Sequence, residues 1–329
     1  MRRTLHTLVR SGLALGLSLG LITASLAQQA WPNRPIRFVV GFSAGGITDI
    51  VARIMAEHVR NRLGQPVTVE NRTGANGVLA AQEVLRAPPD GHTVLISNSS
   101  TLTLNPLLAR KPPYEAADFA PVSLMVSYPF VIATNPTSEK AGAATTLPEF
   151  LKLARERPGQ FTYGSSGNGG LVHLGFELLN HLADVRMVHV PYRGASAAQV
   201  ALLGKEVDVV FENPTSVAQF RSGRLRALAV TSPERWRDLP EVPTVSELGY
   251  PGFDSSSWVA AVVHARTPPA IVKALTDAIR SAATDPAVRA QLMQHGNLPM
   301  LDPTQFAAKI KAESDLNAKI IRQSNISVD

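Results

Sequence analysis

The chain has 329 residues, of which 45% are hydrophobic and 18% are charged, so its composition is that of a globular protein and its length allows two lobes. It contains no cysteine, which excludes disulfides and cysteine-ligated metal or iron–sulfur sites. The net charge of +6 comes from scattered lysines and arginines without a basic run among aromatic residues, so we expect no nucleic-acid partner.

The first 27 residues have the pattern of a signal peptide. Arg2, Arg3 and Arg10 give a positive start, and the apolar stretch 13–22 that follows them is too short to span a bilayer comfortably. Residues 25–27 (Ser-Leu-Ala) form a small-x-small cleavage site, so we expect cleavage after Ala27 and export. Because no acidic residue leaves with the three arginines, the net charge falls from +6 to +3.

Residues 36–63 predict a strand, a glycine turn and a helix. A β-branched and aromatic run at 36–40 precedes a glycine-rich stretch at 41–46, and apolar residues at helical spacing continue to Leu63, where Gly64 ends the pattern. Such a turn lies at the carboxyl end of a strand, where its free N–H groups and the helix N-terminus favour an anion. It matches neither the dinucleotide fingerprint, nor the P-loop, nor the nucleophile elbow, so a plain tight turn remains the alternative.

The same order of elements continues as far as residue 101. We predict strands at 67–70 and 92–96 and a helix at 78–86, which implies a parallel sheet with right-handed crossovers. A polar loop at 97–101 follows the third strand and either lines the same crevice or is simply solvated. The proline-rich segment 105–121 has weak patterning, and we interpret it as a connection rather than an element.

A second α/β lobe begins with a strand at 130–134, and we place the boundary near Pro129. Thr146 to Glu149 form a capping box that opens a helix. Further strands are predicted at 161–164, 187–190, 207–211 and 225–230, with helices at 171–182 and 195–203. A strand at 258–264 then returns to the first sheet, and three helices starting near 267, 285 and 302 complete the chain.

Two similar lobes that both direct polar glycine loops at strand ends predict a ligand cleft between them, closed by a hinge. An enzyme is the weaker alternative, because the eight histidines form no H-E-x-x-H pair and residues 194–198 lack the closing glycine of a nucleophile elbow. Three residues keep two interpretations each. His173 either faces the cleft or is a buried helix residue, Arg193 binds an anion or forms a surface salt bridge, and Asp49 contacts ligand or compensates the helix dipole.

Eight segments in order resemble the solute-binding proteins of tripartite tricarboxylate transporters, also called the Bordetella uptake gene (Bug) family. They are residues 35–40, 42–49, 64–72, 89–93, 163–167 (YGSSG), 189–194 (HVPYRG), 225–230 (LRALAV) and 243–245 (PTV). The resemblance covers essentially the whole mature chain. It implies an α/β, two-lobed type II periplasmic binding protein fold, a Venus flytrap with its ligand cleft between the lobes. Residues 28–129 and 251–329 would form lobe 1, and residues 130–250 lobe 2.

The resemblance further implies a monomeric periplasmic protein, not an enzyme, that captures a small carboxylate or related compound and delivers it to membrane transporter subunits. A ligand-sensing protein for a signalling partner and a secreted hydrolase are the alternatives. No catalytic residue, metal or cofactor is implied. Carried onto this chain, the ligand-binding candidates are Phe42, Ser43, Ala44, Gly45, Gly46, Asp49, Ser97, Ser165, Gly167, His173 and Asn213.

Two positions depart from the family pattern. Ser43 stands where the family usually has proline or another small residue, which predicts a less rigid first loop. Glu212 precedes Asn213 where aspartate is common, and a carboxylate at this position would disfavour a fully dianionic ligand.

Overall fold

Two five-stranded sheets form the framework of the protein in a computed structural model that describes residues 31–108 and 111–324. The first sheet contains β1 (Ile36–Val40), β2 (Val67–Asn71), β3 (Thr93–Asn98), β4 (Phe119–Tyr128) and β10 (Ser257–His264) in the order β2-β1-β3-β10-β4. β1 is parallel to β2 and β3, whereas β10 runs antiparallel to β3 and β4. The predicted signal peptide lies outside the described residues.

The second sheet repeats this plan. It contains β5 (Val131–Thr134), β6 (Thr162–Ser165), β7 (Val188–Pro191), β8 (Val209–Glu212) and β9 (Arg226–Val230) in the order β7-β6-β8-β5-β9. β6 is parallel to β7 and β8, and β5 is antiparallel to β8 and β9. Three parallel strands followed by an antiparallel pair therefore occur twice, and in each sheet the loops after the parallel strands point to the same edge.

Helices cover both faces of the sheets. They are α1 (Ile47–Leu63), α2 (Val78–Arg86), α3 (Asn105–Leu108), α4 (Leu147–Glu156), α5 (Leu171–Ala183), α6 (Ala195–Leu203), α7 (Val217–Arg221), α8 (Pro269–Arg280), α9 (Pro286–Met293) and α10 (Pro303–Ser324). Their ends follow the sequence signals. Gly64 ends α1 in the left-handed conformation at φ 69°, and the Thr146 side chain accepts a hydrogen bond from the Glu149 N–H at the start of α4. None of the described helices is both long and apolar enough to cross a membrane.

We use lobe 1 for the first sheet with its packed helices and lobe 2 for the second. The chain passes from β4 to β5 through Pro129 and Phe130, and it returns from β9 to β10 through residues 231–256. Apolar side chains of both sheets are buried against the helices, including Phe38 and Met55 in lobe 1 and Phe150 and Phe176 in lobe 2. The exact lobe boundaries at 129/130 and 250/251 stay a prediction.

The interpretation of 105–121 as a mere connection is wrong. α3 occupies its beginning, and β4 begins at Phe119 and continues for ten residues. The strand was not predicted because Pro121 lies within it. Proline cannot donate a hydrogen bond to a neighbouring strand, so its presence argues against a central strand. The structure accommodates Pro121 because β4 is an edge strand and the β4–β10 register shifts next to the pairing of Pro121 with Val262.

Candidate functional site

A cavity lies between the two lobes at the carboxyl ends of their parallel strands. It measures about 600 Å³ with its open mouth included. Lobe 1 lines it with Phe42, Ser43, Gly46, Ile47, Thr48, Asn98, Ser100, Tyr128 and Ser257, and lobe 2 with Phe130, Ser165, Ser166, Leu171, Val172, Ala195, Ala198, Val210, Phe211 and Asn213. Apolar walls with a few hydroxyl and amide groups are typical of a small-molecule site. We call this the inner cavity.

Three helix N-termini converge on the inner cavity, those of α1, α5 and α6. Each is preceded by a glycine (Gly46, Gly170 and Gly194), and none of the three has a side-chain cap. First-turn N–H groups have no acceptor within their own helix, and the helix dipole adds a partial positive charge at this end. The Leu171 N–H donates to Ser100 Oγ at 2.9 Å. The remaining first-turn N–H groups make this part of the cavity suited to an anion.

Side-chain groups beside these helix ends are also without partners. The buried Ser43 Oγ has no hydrogen-bond partner among the described residues. Asn213 uses its side-chain oxygen to accept from Thr215 N at 3.0 Å and Thr215 Oγ1 at 2.7 Å. The Asn213 NH₂ group is thereby turned away from this turn and has no acceptor in the described part of the chain. Both groups can bind a polar ligand atom.

Ser165 is held from behind by two stacked histidines. Its Oγ lies 2.6 Å from His189 Nε2 and accepts from the Gly167 N–H at 3.1 Å. The His189 ring stacks on His173 with 3.9 Å between the ring centroids, and His173 Nδ1 accepts from the Gly169 N–H at 3.0 Å. Burial and the neighbouring His173 lower the pKa of His189 to about 4, and burial lowers the pKa of His173. Two neutral imidazoles therefore fix the loop that carries Ser165.

Five of the eleven predicted residues line the inner cavity: Phe42, Ser43, Gly46, Ser165 and Asn213. His173 does not line it but supports Ser165 through His189. Ala44 and Gly45 are exposed on the outside of the first loop, and Ser97 is buried within β3. Gly167 lines a neighbouring cavity described below. Whether each of these residues contacts a ligand stays a prediction.

Asp49 holds the first loop to α1 rather than lining the cavity. Its buried carboxylate accepts from the Gly45 N–H at 3.0 Å, from Arg53 at 2.9 and 3.0 Å, and from Asn71 Nδ2 at 2.9 Å. Burial alone would raise the pKa of Asp49, but these hydrogen bonds outweigh it and the pKa is lowered. Asp49 is thus an ionised structural group at the base of the loop.

Glu212 lies behind Asn213 and does not line the inner cavity. Its Oε2 accepts from Gln199 Nε2 at 3.0 Å and from the Ser216 hydroxyl. Burial raises the pKa of Glu212 to about 7, despite these hydrogen bonds. The expectation that its charge faces the ligand therefore does not match its position, since Gln199 and Ser216 enclose the carboxyl group.

A second cavity, which we call the outer cavity, opens between the lobes beside the first. It measures about 1200 Å³ with its mouth included and is lined by Gly41, Phe42, Thr73, Gly74, Ala75, Asn76, Ser166, Gly167, Asn168, Tyr192, Arg193 and Gly194. The lobes also contact each other here, because Asn76 Nδ2 in lobe 1 donates to the Asn168 carbonyl in lobe 2 at 2.6 Å. Together with the bond from Leu171 to Ser100, this contact joins the two lobes across the cleft.

Several lining residues had no signal in the sequence. Asn98 and Ser100 lie in a polar loop that the sequence did indicate, but the ligand-binding residue predicted in this loop was Ser97. Side chains alternate along a strand, so Ser97 and Asn98 point to opposite faces of β3 and only one faces the cleft. Tyr128, Phe130 and Ser257 lie where the chain crosses between lobes, and nothing local marks them. In the described ranges no group of histidine, aspartate and glutamate could hold a metal ion.

Comparisons with known proteins give consistent matches. The family described as "Tripartite tricarboxylate transporter family receptor" matches residues 51–326. A protein from the tcbD-tcbE intergenic region of Pseudomonas sp. (strain P51) is 38% identical, covering 95% of this chain and 94% of that protein. Protein BugT of Bordetella pertussis is 35% identical, covering 92% of this chain and 93% of BugT.

Solved structures agree with these matches. The periplasmic binding protein BugD superposes with a TM-score of 0.84 at 31% identity, covering 90% of this chain and 99% of BugD. R. palustris Rpa4515 with adipate gives 0.84 at 29% identity, over 90% and 99% of the two chains. MatC from Rhodopseudomonas palustris with bound malate gives 0.82 at 30% identity, over 88% and 100%.

Proposed function

Because the chain belongs to the tripartite tricarboxylate transporter receptor family, also known as the Bug family, we propose that it is an exported solute-binding protein. It captures a small carboxylate in the inner cavity and delivers it to a tripartite tricarboxylate-type membrane transporter. The family membership and the two-lobed periplasmic binding protein fold predicted from the sequence are confirmed. The family is one of receptors rather than enzymes, and we propose no catalytic step for this chain.

The observation that carries this proposal is the convergence of three uncapped helix N-termini on one cavity. A carboxylate placed there accepts hydrogen bonds from backbone N–H groups that have no other partner, and it is stabilised by the helix dipoles. Ser43 Oγ and the Asn213 NH₂ group add donors at the rim. Two structural relatives carry adipate and malate, and both molecules are carboxylates.

We infer that Phe42, Ser43, Gly46, Ser165 and Asn213 contact the ligand directly. Three other predicted residues support the site without contacting the ligand. Gly45 and Asp49 fix the start of α1, and His173 supports the Ser165 loop. The closed cleft fits a hinge-closing protein in which the two lobes enclose the bound molecule.

A thermal-shift screen of the mature protein tests the ligand class. A ligand that binds only the native state adds RT ln(1 + [L]/Kd) to its stability, about 2.7 kcal/mol at a hundred times Kd. We expect at least one small carboxylate, with malate and adipate among those screened, to raise the melting temperature. The matched control is the neutral amide of each hit. If no carboxylate has an effect, or if the amides stabilise equally, the proposed ligand class is wrong.

Export and delivery have separate tests. We expect periplasmic protein to begin at Gln28, and an intact mass that retains residues 1–27 would contradict this. Deleting the gene should abolish cellular uptake of the carboxylate identified in the screen, and restoring it should restore uptake. Unchanged uptake in the deletion strain would contradict the transport role while leaving the binding site in place.

A further inference from the structure

We propose that the outer cavity is a second subsite for the same ligand, and that Arg193 binds a second carboxylate at the far end of an elongated dicarboxylate. This inference rests on the proposed function, in which the first carboxylate lies among the helix N-termini of the inner cavity. The proposal for the outer cavity specifies in addition how long the ligand is and which chemical group lies at its distal end.

The two cavities are adjacent. Both are lined by Phe42 of lobe 1 and by Ser166 of lobe 2, so these two side chains lie at the border between the cavities. On the lobe 2 side, Gly194 lines the outer cavity and the next residue, Ala195, lines the inner one. The distal end of a ligand held at the start of α6 would therefore need to pass only Phe42 and Ser166 to enter the outer cavity.

Arg193 provides the only arginine or lysine side chain among the described residues that line either cavity. It is exposed, and it forms no ion pair or hydrogen bond with any other described residue. Some other arginines of the protein are paired with carboxylates, such as Arg37 with Glu70 and Glu83, and Arg53 with Asp49. An unpaired guanidinium at the mouth of a ligand cleft is suited to bind a carboxylate with two parallel hydrogen bonds.

The backbone that presents Arg193 is fixed. Gly194 has a φ of 117°, and a side chain there would collide with Ser43 Oγ of the opposite lobe. Only glycine permits this close approach of the two lobes. Arg193, which follows β7, therefore lies directly before an interlobe contact. Its guanidinium is therefore brought to the cleft when the lobes close.

Asn76 gives independent evidence for a ligand in the outer cavity. It is 6% exposed, and its Oδ1 has no hydrogen-bond partner among the described residues, although its Nδ2 donates to Asn168. Its backbone is held in the left-handed region at φ 53°, with its carbonyl accepting from Thr101 and Asn105. The side chain cannot easily turn away, and an unpaired buried acceptor is costly.

A hydroxyl or amino group on the ligand would satisfy Asn76 Oδ1. The chemistry of the outer cavity thus favours an elongated dicarboxylate that carries such a donor near its distal carboxylate. Unsubstituted dicarboxylates of the right length should bind as well, but more weakly.

Titration calorimetry of the mature protein tests the subsite. The probes are the unbranched dicarboxylates from succinate to suberate, each paired with the monocarboxylate of the same length, together with 2-hydroxyadipate. We expect the longer dicarboxylates to bind roughly 5- to 30-fold more tightly than their monocarboxylate pairs, the gain of a charge-assisted hydrogen bond that is partly screened by solvent. We also expect 2-hydroxyadipate to bind more tightly than adipate.

The variant Arg193→Gln should remove the preference for dicarboxylates and leave monocarboxylate affinity unchanged, whereas Arg193→Lys should retain part of it. Arg224→Gln is the matched control, because Arg224 is also exposed on lobe 2 and lines neither cavity. A preference that survives in Arg193→Gln, or equal binding of both members of each pair in the wild type, would overturn the subsite. Failure of all carboxylates to bind would instead overturn the proposed function.

Discussion

Ser43 and Glu212 are two residues near the cleft whose buried polar groups reduce the stability of the folded protein. Ser43 Oγ is buried beside the inner cavity without a partner in the part of the chain that the structure describes, and Glu212 buries a carboxyl group whose pKa is raised to about 7. Each arrangement costs folding free energy, because a buried polar group without a partner and a buried charge are both unfavourable. Each therefore gives a prediction about stability, and for Ser43 the same substitution also gives a prediction about binding.

Ser43→Ala should leave the melting temperature unchanged or raise it, since the hydroxyl removed makes no hydrogen bond with any described residue. Ligand affinity should fall about 2- to 10-fold, the worth of one neutral hydrogen bond. Calorimetry and thermal unfolding on the same sample give both values. Ser165→Ala is the contrast, because its hydroxyl contacts His189 and its loss should lower stability. A Ser43→Ala protein that is clearly less stable would contradict this account.

Glu212 should make the protein less stable as the pH rises. Its folded pKa of about 7 lies above the ordinary value of 4.5, so its contribution is fully present below pH 4.5 and is lost as the pH rises through 7. The lost contribution amounts to about 3 kcal/mol. Glu212→Gln stays neutral at every pH, and its unfolding free energy should therefore lose this part of the pH dependence. His189 has the opposite sign, because its lowered pKa makes stability fall at acid pH, but that effect is common to both proteins.

Denaturant unfolding of wild type and Glu212→Gln between pH 4.5 and pH 7 measures the difference. Glu156→Gln removes an exposed carboxylate of the same kind and should leave the slope as it is in the wild type. Identical slopes in all three proteins would mean that Glu212 is ionised in the folded state throughout this range.

The elements that build the cleft repeat one unit, a parallel strand followed by a glycine turn and a helix N-terminus. β1 with α1 and β6 with α5 both have this form, and each ends in a glycine N-cap without a capping side chain. Thr146 caps α4 and Asp285 caps α9 with their side chains, whereas α2, α7 and α8, which do not line the inner cavity, also begin without a side-chain cap. The absence of a cap alone therefore does not mark a ligand site, but the uncapped ends of α1 and α5 line the inner cavity, so a ligand there can reach their first-turn N–H groups.

Gly46→Ala tests this at α1. Gly46 has a φ of −77°, which alanine adopts without strain, and an added Cβ would lie 3.3 Å from the Ser43 carbonyl and 3.9 Å from Ser196 Oγ in lobe 2. We expect a folded protein whose affinity for its carboxylate is reduced roughly tenfold to hundredfold, because the methyl group occupies the approach to the α1 N–H groups.

Gly204→Ala is the control for this substitution. Gly204 has the same φ of −77°, and its nearest backbone contact is also a carbonyl, that of Val200, at 3.3 Å. It lies at the other end of α6 and outside the cavity, so affinity should match wild type. Near-normal binding by Gly46→Ala would show that the start of α1 does not hold the carboxylate.

Strands and helices whose sequence agrees with local rules were predicted well. β1, α1, α2, α4 and α6 lie within one or two residues of their predicted bounds, because apolar periodicity, glycine stops and capping residues all indicate the same element. β4 was missed since Pro121 contradicts its local pattern, and only the position of β4 at the sheet edge permits the proline. Whether a strand lies at the edge or in the centre of a sheet is decided only when the sheet assembles, so the local sequence of the strand does not indicate it.

The candidate site was predicted in part for a similar reason. Phe42, Ser43 and Gly46 belong to one loop, and Ser165 and Asn213 follow two strands of the other sheet, so strand ends sufficed to find them. Tyr128 and Ser257 come from the two ends of the crossing region and meet at the cavity only through tertiary packing. The role of His173 depended on its stacking with His189, which the spacing of the two residues does not indicate.

At the scale of the whole molecule, the two lobes contact each other across the cleft while only two segments connect them. The bonds from Asn76 to Asn168 and from Leu171 to Ser100 lie near the cavities, and away from the cavities Arg237 donates to the Met293 and Gly296 carbonyls of lobe 1. A closure held by so few bonds is expected to open readily when no ligand bridges the lobes. We therefore predict that the unliganded protein populates an open form in solution.

Small-angle scattering measures this equilibrium directly. The radius of gyration should be larger without ligand and should fall on addition of the carboxylate found by thermal shift, whereas a neutral amide that does not bind should have no effect. The same radius with and without ligand would indicate a cleft that is closed beforehand.

The position of β10 has a consequence for how the protein reaches its folded state. β10 lies between β3 and β4 in the first sheet, yet it follows the whole of lobe 2 in the chain, so Val259 pairs with Asn98 and Ser257 with Tyr128 only after lobe 2 has been made. All strands of the second sheet lie between Val131 and Val230, and their pairings close shorter loops. We predict that in pulsed hydrogen exchange during refolding the amides of β5 to β9 gain protection before those of β3, β4 and β10; simultaneous protection would contradict this order. A chain emerging from its amino end would thus present β3 and β4 as two unpaired strand edges until residue 257 arrives, and this interval is when it most needs protection from aggregation.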